Sequence, residues 1–371
     1  MQVSDLSSIN QQVLIASFVL SFLFGLIAQR THFCTMGAVS DIVNIGDWQR
    51  MRQWACAAGV AMLGFGLLAY LGKIDPSKTL YASPRIAWLS AIVGGAMFGF
   101  GMVLASGCGS KTLVRIGGGS LKSLVVFVVM GIAAFATLKG ITAVVRVATV
   151  DTFAINSGAS SALSMPASSL FGLKIGAAQM LAAALVGCGL VVWALLSKDF
   201  RSFDNLFAGI GIGLVITLMW WASGSLGFVA EHPETLEAAY IGTNSGRAEA
   251  LSFVAPVAYT VDWLMFFSDK SKVLTLGIAS VFGVIAGSAV MAVATKSFRW
   301  EGFGGTEDVA NHLGGAVLMG IGGVTAMGCT VGQGLSGIST LSTMSFIAVA
   351  AILGGSVLGF KYQIWRLEKM V

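Results

Sequence analysis

Long apolar runs alternate with short polar interruptions along the whole chain. Nine such runs cover residues 13–28, 53–72, 86–107, 124–150, 174–196, 206–229, 273–294, 313–328 and 341–360. About 20 apolar residues in a helix cross the hydrocarbon core of a bilayer, so each run predicts a membrane-spanning helix. Three further stretches, 31–47, the segment from Cys108 to 119, and 252–267 with Pro256 and Asp262 inside it, are too short or too polar to span. Irregular backbone survives at membrane depth only where protein buries it or where it lines a water-filled cavity. These stretches therefore predict re-entrant or half-helix elements.

Two of the interruptions share a skeleton, GxGxxxAxGC. The first copy supplies Gly99, Gly101, Ala105, Gly107 and Cys108, the second Gly320, Gly322, Ala326, Gly328 and Cys329. Four predicted spans lie between the copies, so they enter the membrane with opposite polarity, which predicts an inverted pseudo-repeat. A parallel repeat, or a chance match of small residues, is the alternative in so glycine-rich a chain. On the inverted reading the chain is one membrane domain of hourglass-like form. A first half covers about 10–150, a Ser/Ala-rich connector 151–172, and a second half about 174–371. The loop 231–249 is the most polar segment, with four acidic side chains and His232, and no chemistry follows from its sequence.

Composition fixes the solvent. Residues are 56% hydrophobic and only 11% charged, whereas soluble domains carry about a quarter charged residues. The chain is expected to be an all-α integral membrane protein. Forty-eight glycines against five prolines suit closely approaching membrane helices with local breaks. The net charge of +5 is scattered rather than clustered, which argues against a nucleic-acid partner and fits the bilayer surface or an anionic solute. The first apolar run has no basic segment before it and no small-residue cleavage site, so it is expected to be a retained span. Five cysteines, an odd number with no CxxC pair, predict free thiols rather than a disulfide framework or a metal site. No cofactor is implied.

Three of those cysteines sit in interruptions: Cys34 in RTHFCTMGA, and Cys108 and Cys329 in the repeat. Cys56 and Cys188 lie on smooth apolar helices, where a thiol packs as a small hydrophobe. A thiol on a permeation path is a weak, polarizable donor and acceptor suited to a soft, sulfur-bearing solute. An anion also needs positive potential, and Arg30, Lys111 and Arg115 are near the thiols in sequence. His32 is a candidate proton donor. Ser110, Thr112, Gln333 and Ser336 are candidates to hydrogen-bond the solute's oxygens, or to satisfy the freed backbone of a broken helix. A membrane thiol oxidoreductase and a soft-metal transporter are the other readings. The first lacks CxxC, and the second conflicts with the basic charge.

THFCTMGA, FGFGMVLASGCGSKTLVR and GGVTAMGCTVGQGLSGIS closely resemble the sulfur-transport permeases of the YeeE/YedE family, along nearly the whole chain. The resemblance implies an hourglass of inverted halves in the cytoplasmic membrane, with one cysteine of each motif at the waist, here Cys34, Cys108 and Cys329. It implies uptake of thiosulfate by transient thiol contacts, without covalent turnover. Other relatives are linked to selenium metabolism, and some work with a soluble sulfur carrier of the TusA type. No carrier domain follows the last span in this sequence, so such a partner would be a separate protein.

Overall fold

In a computed structural model, residues 3–156, 172–233 and 235–369 are described. The chain is an all-α integral membrane protein. Among the described residues, eight helical segments are long and apolar enough to cross a bilayer. The helices in chain order are α1 (Val3–Thr31), α2 (Thr35–Ile45), α3 (Gln49–Tyr70), α4 (Trp88–Leu104), α5 (Gly109–Gly117), α6 (Leu121–Lys139) and α7 (Ile141–Ala148). They continue with α8 (Ile175–Leu195), α9 (Phe203–Trp221), α10 (Val254–Met265), α11 (Leu276–Ala294), α12 (Thr306–Thr325) and α13 (Thr343–Glu368). Two-residue strands tie the loops, Arg85–Ile86 to Ile155–Asn156 and Phe228–Val229 to Ala239–Tyr240.

Several expected boundaries shift, each for a local reason. The run 124–150 is two helices, because α6 ends at Gly140, whose extended backbone starts the amphipathic α7. The run 313–328 begins earlier, at Thr306, where Glu307 and Asp308 occupy the positive first turn of α12. Those charges, with His312, make α12 too polar to count among the eight apolar spans, although it has 20 residues. Most of the expected connector, 157–171, lies outside the described residues.

Glycine contacts set the helix packing. On α11, Gly283 and Gly287 form a small-xxx-small face against α1, and a Cβ on Gly287 would stand 1.9 Å from the Phe22 carbonyl oxygen. In the repeated motif the contacts are reciprocal. Gly101 of α4 meets Gly315 of α12, while Gly322 of α12 meets Phe98 and Gly94 of α4; Gly99 meets Ile352 of α13, while Gly320 meets Met130 of α6.

The two motif helices run antiparallel. At one end of the molecule the start of α4 meets the start of α13 and the 150–152 turn, with Ser90 donating to Asp151 at 2.6 Å and Ala91 packed on Met344. At the other end, Gln363 donates to the Val103 carbonyl at 3.3 Å, Arg366 pairs with Glu307 at 3.0 Å, and Lys122 pairs with Glu301 and Asp308 at 3.1 and 3.6 Å.

Candidate functional site

Three helices stop in the same way. α1, α4 and α12 each end at a residue in the left-handed region: His32, Ser106 and Met327, with φ of 53°, 55° and 56°. In α4 and α12 the closing hydrogen bonds are homologous. Gly107 N–H donates to Met102 O at 2.8 Å and Ser106 N–H to Val103 O at 3.1 Å; Gly328 N–H donates to Gly323 O at 2.7 Å and Met327 N–H to Val324 O at 3.0 Å. This double closure satisfies the last carbonyls of each helix and turns the chain sharply.

Two residues after each left-handed residue stands a cysteine. Cys34 is the N-cap of α2 and Cys108 the N-cap of α5, both with extended backbone. Cys329 opens the buried segment whose Gly332–Gly337 stretch winds as a π-turn. The sulfur of Cys34 accepts from the Gly37 N–H and that of Cys329 from the Gly332 N–H, both at 3.4 Å. The Lys111 N–H stands in the same i+3 relation to Cys108. Each thiol therefore sits where backbone N–H groups converge and their partial positive charge favours electron-rich atoms.

The three interruptions meet. The side chains of Cys34 and Cys108 face one another, and Cys329 lies near enough to Cys108 to interact with it electrostatically. Cys108 and Cys329 are buried and Cys34 is half-buried; all five cysteines of the chain are free thiols. Ser110 places its hydroxyl 3.2 Å from the Cys108 sulfur, and Thr330 puts a second hydroxyl beside it. Backbone N–H groups of Phe253 and Val331 also address Cys329.

A cavity approaches this cluster from each end. The first, about 530 Å³, is lined by His32, Lys111 and Arg115, then by Lys296 and Arg299 at its mouth, with Glu301 as its one acid. Glu301 is held to Lys122, whose hydrogen bond keeps its carboxyl below the usual carboxylate range. The chamber is therefore electropositive. The second cavity, about 290 Å³ and mostly apolar, ends against Met327, Gly328 and Ser252, beside the Cys329 turn. Its polar groups include Arg146 and Glu249.

The other candidates separate by their partners. Lys111, Arg115 and His32 face the basic chamber. Arg30 does not: it lies on the surface, paired with Asp204 at 3.2 Å and over the rings of Phe203 and Phe207. Gln333 is fully engaged inside the protein, donating to Ala326 O and accepting from Ser345 Oγ, both at 2.6 Å. Ser336 donates to Leu251 O at 2.7 Å, and Thr112 to Cys108 O at 3.0 Å. These three brace the broken backbone. Of the remaining cysteines, Cys56 is buried against Gly209 and Cys188 is exposed on α8. Among the described residues no cluster of His, Cys, Asp and Glu is arranged to hold a metal ion.

Sequence reasoning missed Thr330, Arg146 and Glu249. Thr330 is signalled only by following a motif cysteine. Arg146 lies inside an apolar run that reads as one span, and Glu249 in a loop whose sequence points to no chemistry.

Residues 30–358, which include all three cysteine interruptions, match the family described as sulphur transport. The chain is 26% identical over 354 residues to the thiosulfate transporter TsuA of Spirochaeta thermophila, covering 91% of this chain and 95% of that one. It is 24% identical over 352 residues to the thiosulfate transporter TsuA of Escherichia coli, covering 92% of each. A shorter stretch of 110 residues, 30% of this chain and 26% of the other, is 30% identical to the probable transporter YedE of Escherichia coli.

Proposed function

The chain belongs to the sulphur-transport family, and on that premise we propose that it carries thiosulfate, or a closely related sulfur anion, across the cytoplasmic membrane past Cys34, Cys108 and Cys329. The observation that carries this reading is the convergence of three thiols, each opening a half-helix, between two cavities. The basic chamber gathers the anion. At the waist, the sulfur of Cys329 already accepts a backbone N–H, so its S–H proton is left to donate toward the anion's terminal sulfur, while the Cys34 S–H, which faces the Cys108 sulfur, turns from it to do the same. Donation by a thiol is weak. Weak and repeated contacts suit a conduit, where an ion must bind well enough to enter and loosely enough to leave. The sulfonate oxygens find a donor in the Ser110 hydroxyl.

The test uses a host lacking other sulfate and thiosulfate uptake, grown on thiosulfate as sole sulfur source. Cys108→Ala and Cys329→Ala are each expected to reduce uptake by roughly fivefold or more, because losing one such contact in the rate-limiting passage costs about 1 kcal/mol or more. Uptake at the parental rate in both variants would remove the relay. One observation favours a second reading, thiol–disulfide exchange: Cys34 and Cys108 face one another. Alkylation and mass measurement of the purified protein separate the two, since the relay leaves all thiols reduced through turnover. The proposal also takes a separate TusA-type carrier as receiving partner, and co-purification of such a carrier with this protein tests that part.

A further inference from the structure

The cavity beside Cys329 holds two charged groups in an otherwise mostly apolar space, and both are arranged oddly for a mere solvent pocket. Arg146 pairs through one terminal nitrogen with Asp151 at 3.1 Å, yet its Nε–H is buried without a partner. Glu249 comes from a loop rich in acids but is turned inward. Its Oε1 accepts from the Asn244 N–H at 3.0 Å, its Oε2 from the Ser245 hydroxyl at 3.0 Å, and its own N–H donates to Ser223 Oγ at 3.2 Å. These bonds fix the carboxyl on the wall of a cavity of about 290 Å³.

An anion leaving or entering the waist by this route has to cross that cavity. An ionised carboxylate there would confront it as a like charge between mostly apolar walls, where such repulsion is screened less than in bulk water. A protonated carboxyl reverses the interaction, because its O–H donates a hydrogen bond to an anionic oxygen. The guanidinium of Arg146, which lines the same cavity, then supplies the matching positive charge. Resting on the transport reading above, we propose that this cavity is a second subsite for the transported oxyanion, occupied only while Glu249 carries a proton, so that a proton taken from the adjoining solution accompanies the anion.

The groups facing Glu249 allow such titration. From α7 comes Arg146, already paired with Asp151; from α10, Tyr259, with Asp262 beyond it tied to Lys272 at 2.6 Å. Tyr81 faces it from the 79–84 turn, and Arg247 of its own loop is exposed. Burial raises the Glu249 carboxyl to about 7, against the lowering effect of its bonds from Asn244 and Ser245. A nearby dianion would raise it further, which couples anion entry to proton uptake.

The experiment uses the full chain in proteoliposomes, with radiolabelled thiosulfate outside and a pH-sensitive dye trapped inside. With the parent protein inserted in both orientations, uptake by the molecules whose Glu249 cavity faces outward is expected to fall roughly tenfold per pH unit once the outer pH passes about 7, as the protonated fraction falls, and the lumen to acidify as those molecules work. Glu249→Gln, permanently neutral, is expected to give a flat pH profile without coupled acidification. Ser245→Ala removes a bond that favours the ionised form and is expected to move the midpoint to higher pH. A parental profile in Glu249→Gln overturns the proposal. Should that variant fail to assemble, an unmoved midpoint in Ser245→Ala overturns it. Absence of thiosulfate uptake by the parent protein at every pH would instead sink the transport reading on which the proposal rests.

Discussion

At the scale of single residues, small side chains decide both the packing and the chemistry. A cysteine at an N-cap does what serine usually does, accepting the i+3 N–H, but it presents a softer and weaker donor to whatever passes. Cys34 and Cys329 show this bond and the Cys108 sulfur adds a hydroxyl neighbour. Glycine has the opposite task of leaving room. At Gly287 the α1 and α11 backbones approach so closely that a methyl group would stand 1.9 Å from the Phe22 carbonyl oxygen. Backbone cannot yield as a flexible side chain does, so the helices must separate. Gly287→Ala is expected to destabilise the protein by about 1 to 3 kcal/mol, read as a lower thermal midpoint in detergent. An unchanged midpoint would show that α1 and α11 are not locked by this contact.

At the scale of elements, the recurring unit is a helix end followed by a cysteine-capped half-helix. Its most demanding feature is the left-handed residue, which in the repeated motif is Ser106 or Met327 rather than glycine. A non-glycine residue pays about 1 kcal/mol there for the crowding of its Cβ. Ser106→Gly is accordingly expected to stabilise the protein by up to about 1 kcal/mol, since relief of that crowding exceeds the added freedom of the unfolded chain. Thermal unfolding checks it, and a fall in the midpoint would mean that the Ser106 side chain holds the break together.

That same feature shows why some of the site was legible in the sequence and some was not. The breaks announce themselves as Gly, Cys and polar residues inside apolar runs, and the duplication makes two of them unmistakable. Which residue turns left-handed is not announced, because Ser106 and Met327 carry no turn signature. Proximity in sequence misleads for Arg30, whose partner Asp204 lies 174 residues away. The hydroxyls and amide of Thr112, Ser336 and Gln333 look available in the sequence, and only the folded backbone shows that carbonyl oxygens claim them. Glu249 escapes notice for the converse reason: the acids around it in the loop suggest solvent, and its inward turn depends on Asn244, Ser245 and Ser223.

At the scale of the whole molecule, the two ends differ in electrostatic character. One opens through Lys296 and Arg299 toward Arg115, Lys111 and His32, while the other opens through a mostly apolar cavity with one arginine and one carboxyl. The basic end should raise the local concentration of anions, an effect that salt screens over a Debye length of about 8 to 10 Å at physiological strength. Lys296 and Arg299 are exposed and remote from the thiols in the chain, so they act on approach rather than on passage. Uptake of dilute thiosulfate by the parent protein is expected to fall several-fold between roughly 20 and 200 mM of an inert salt. In a Lys296→Gln, Arg299→Gln double variant the low-salt rate should drop and the dependence on salt should flatten, while the rate at saturating thiosulfate stays near parental. Initial rates of labelled uptake measure all three quantities. A salt dependence equally steep in the variant would place the steering field elsewhere on the protein, and a loss confined to saturating substrate would move these two side chains from the mouth's electrostatics into the passage itself.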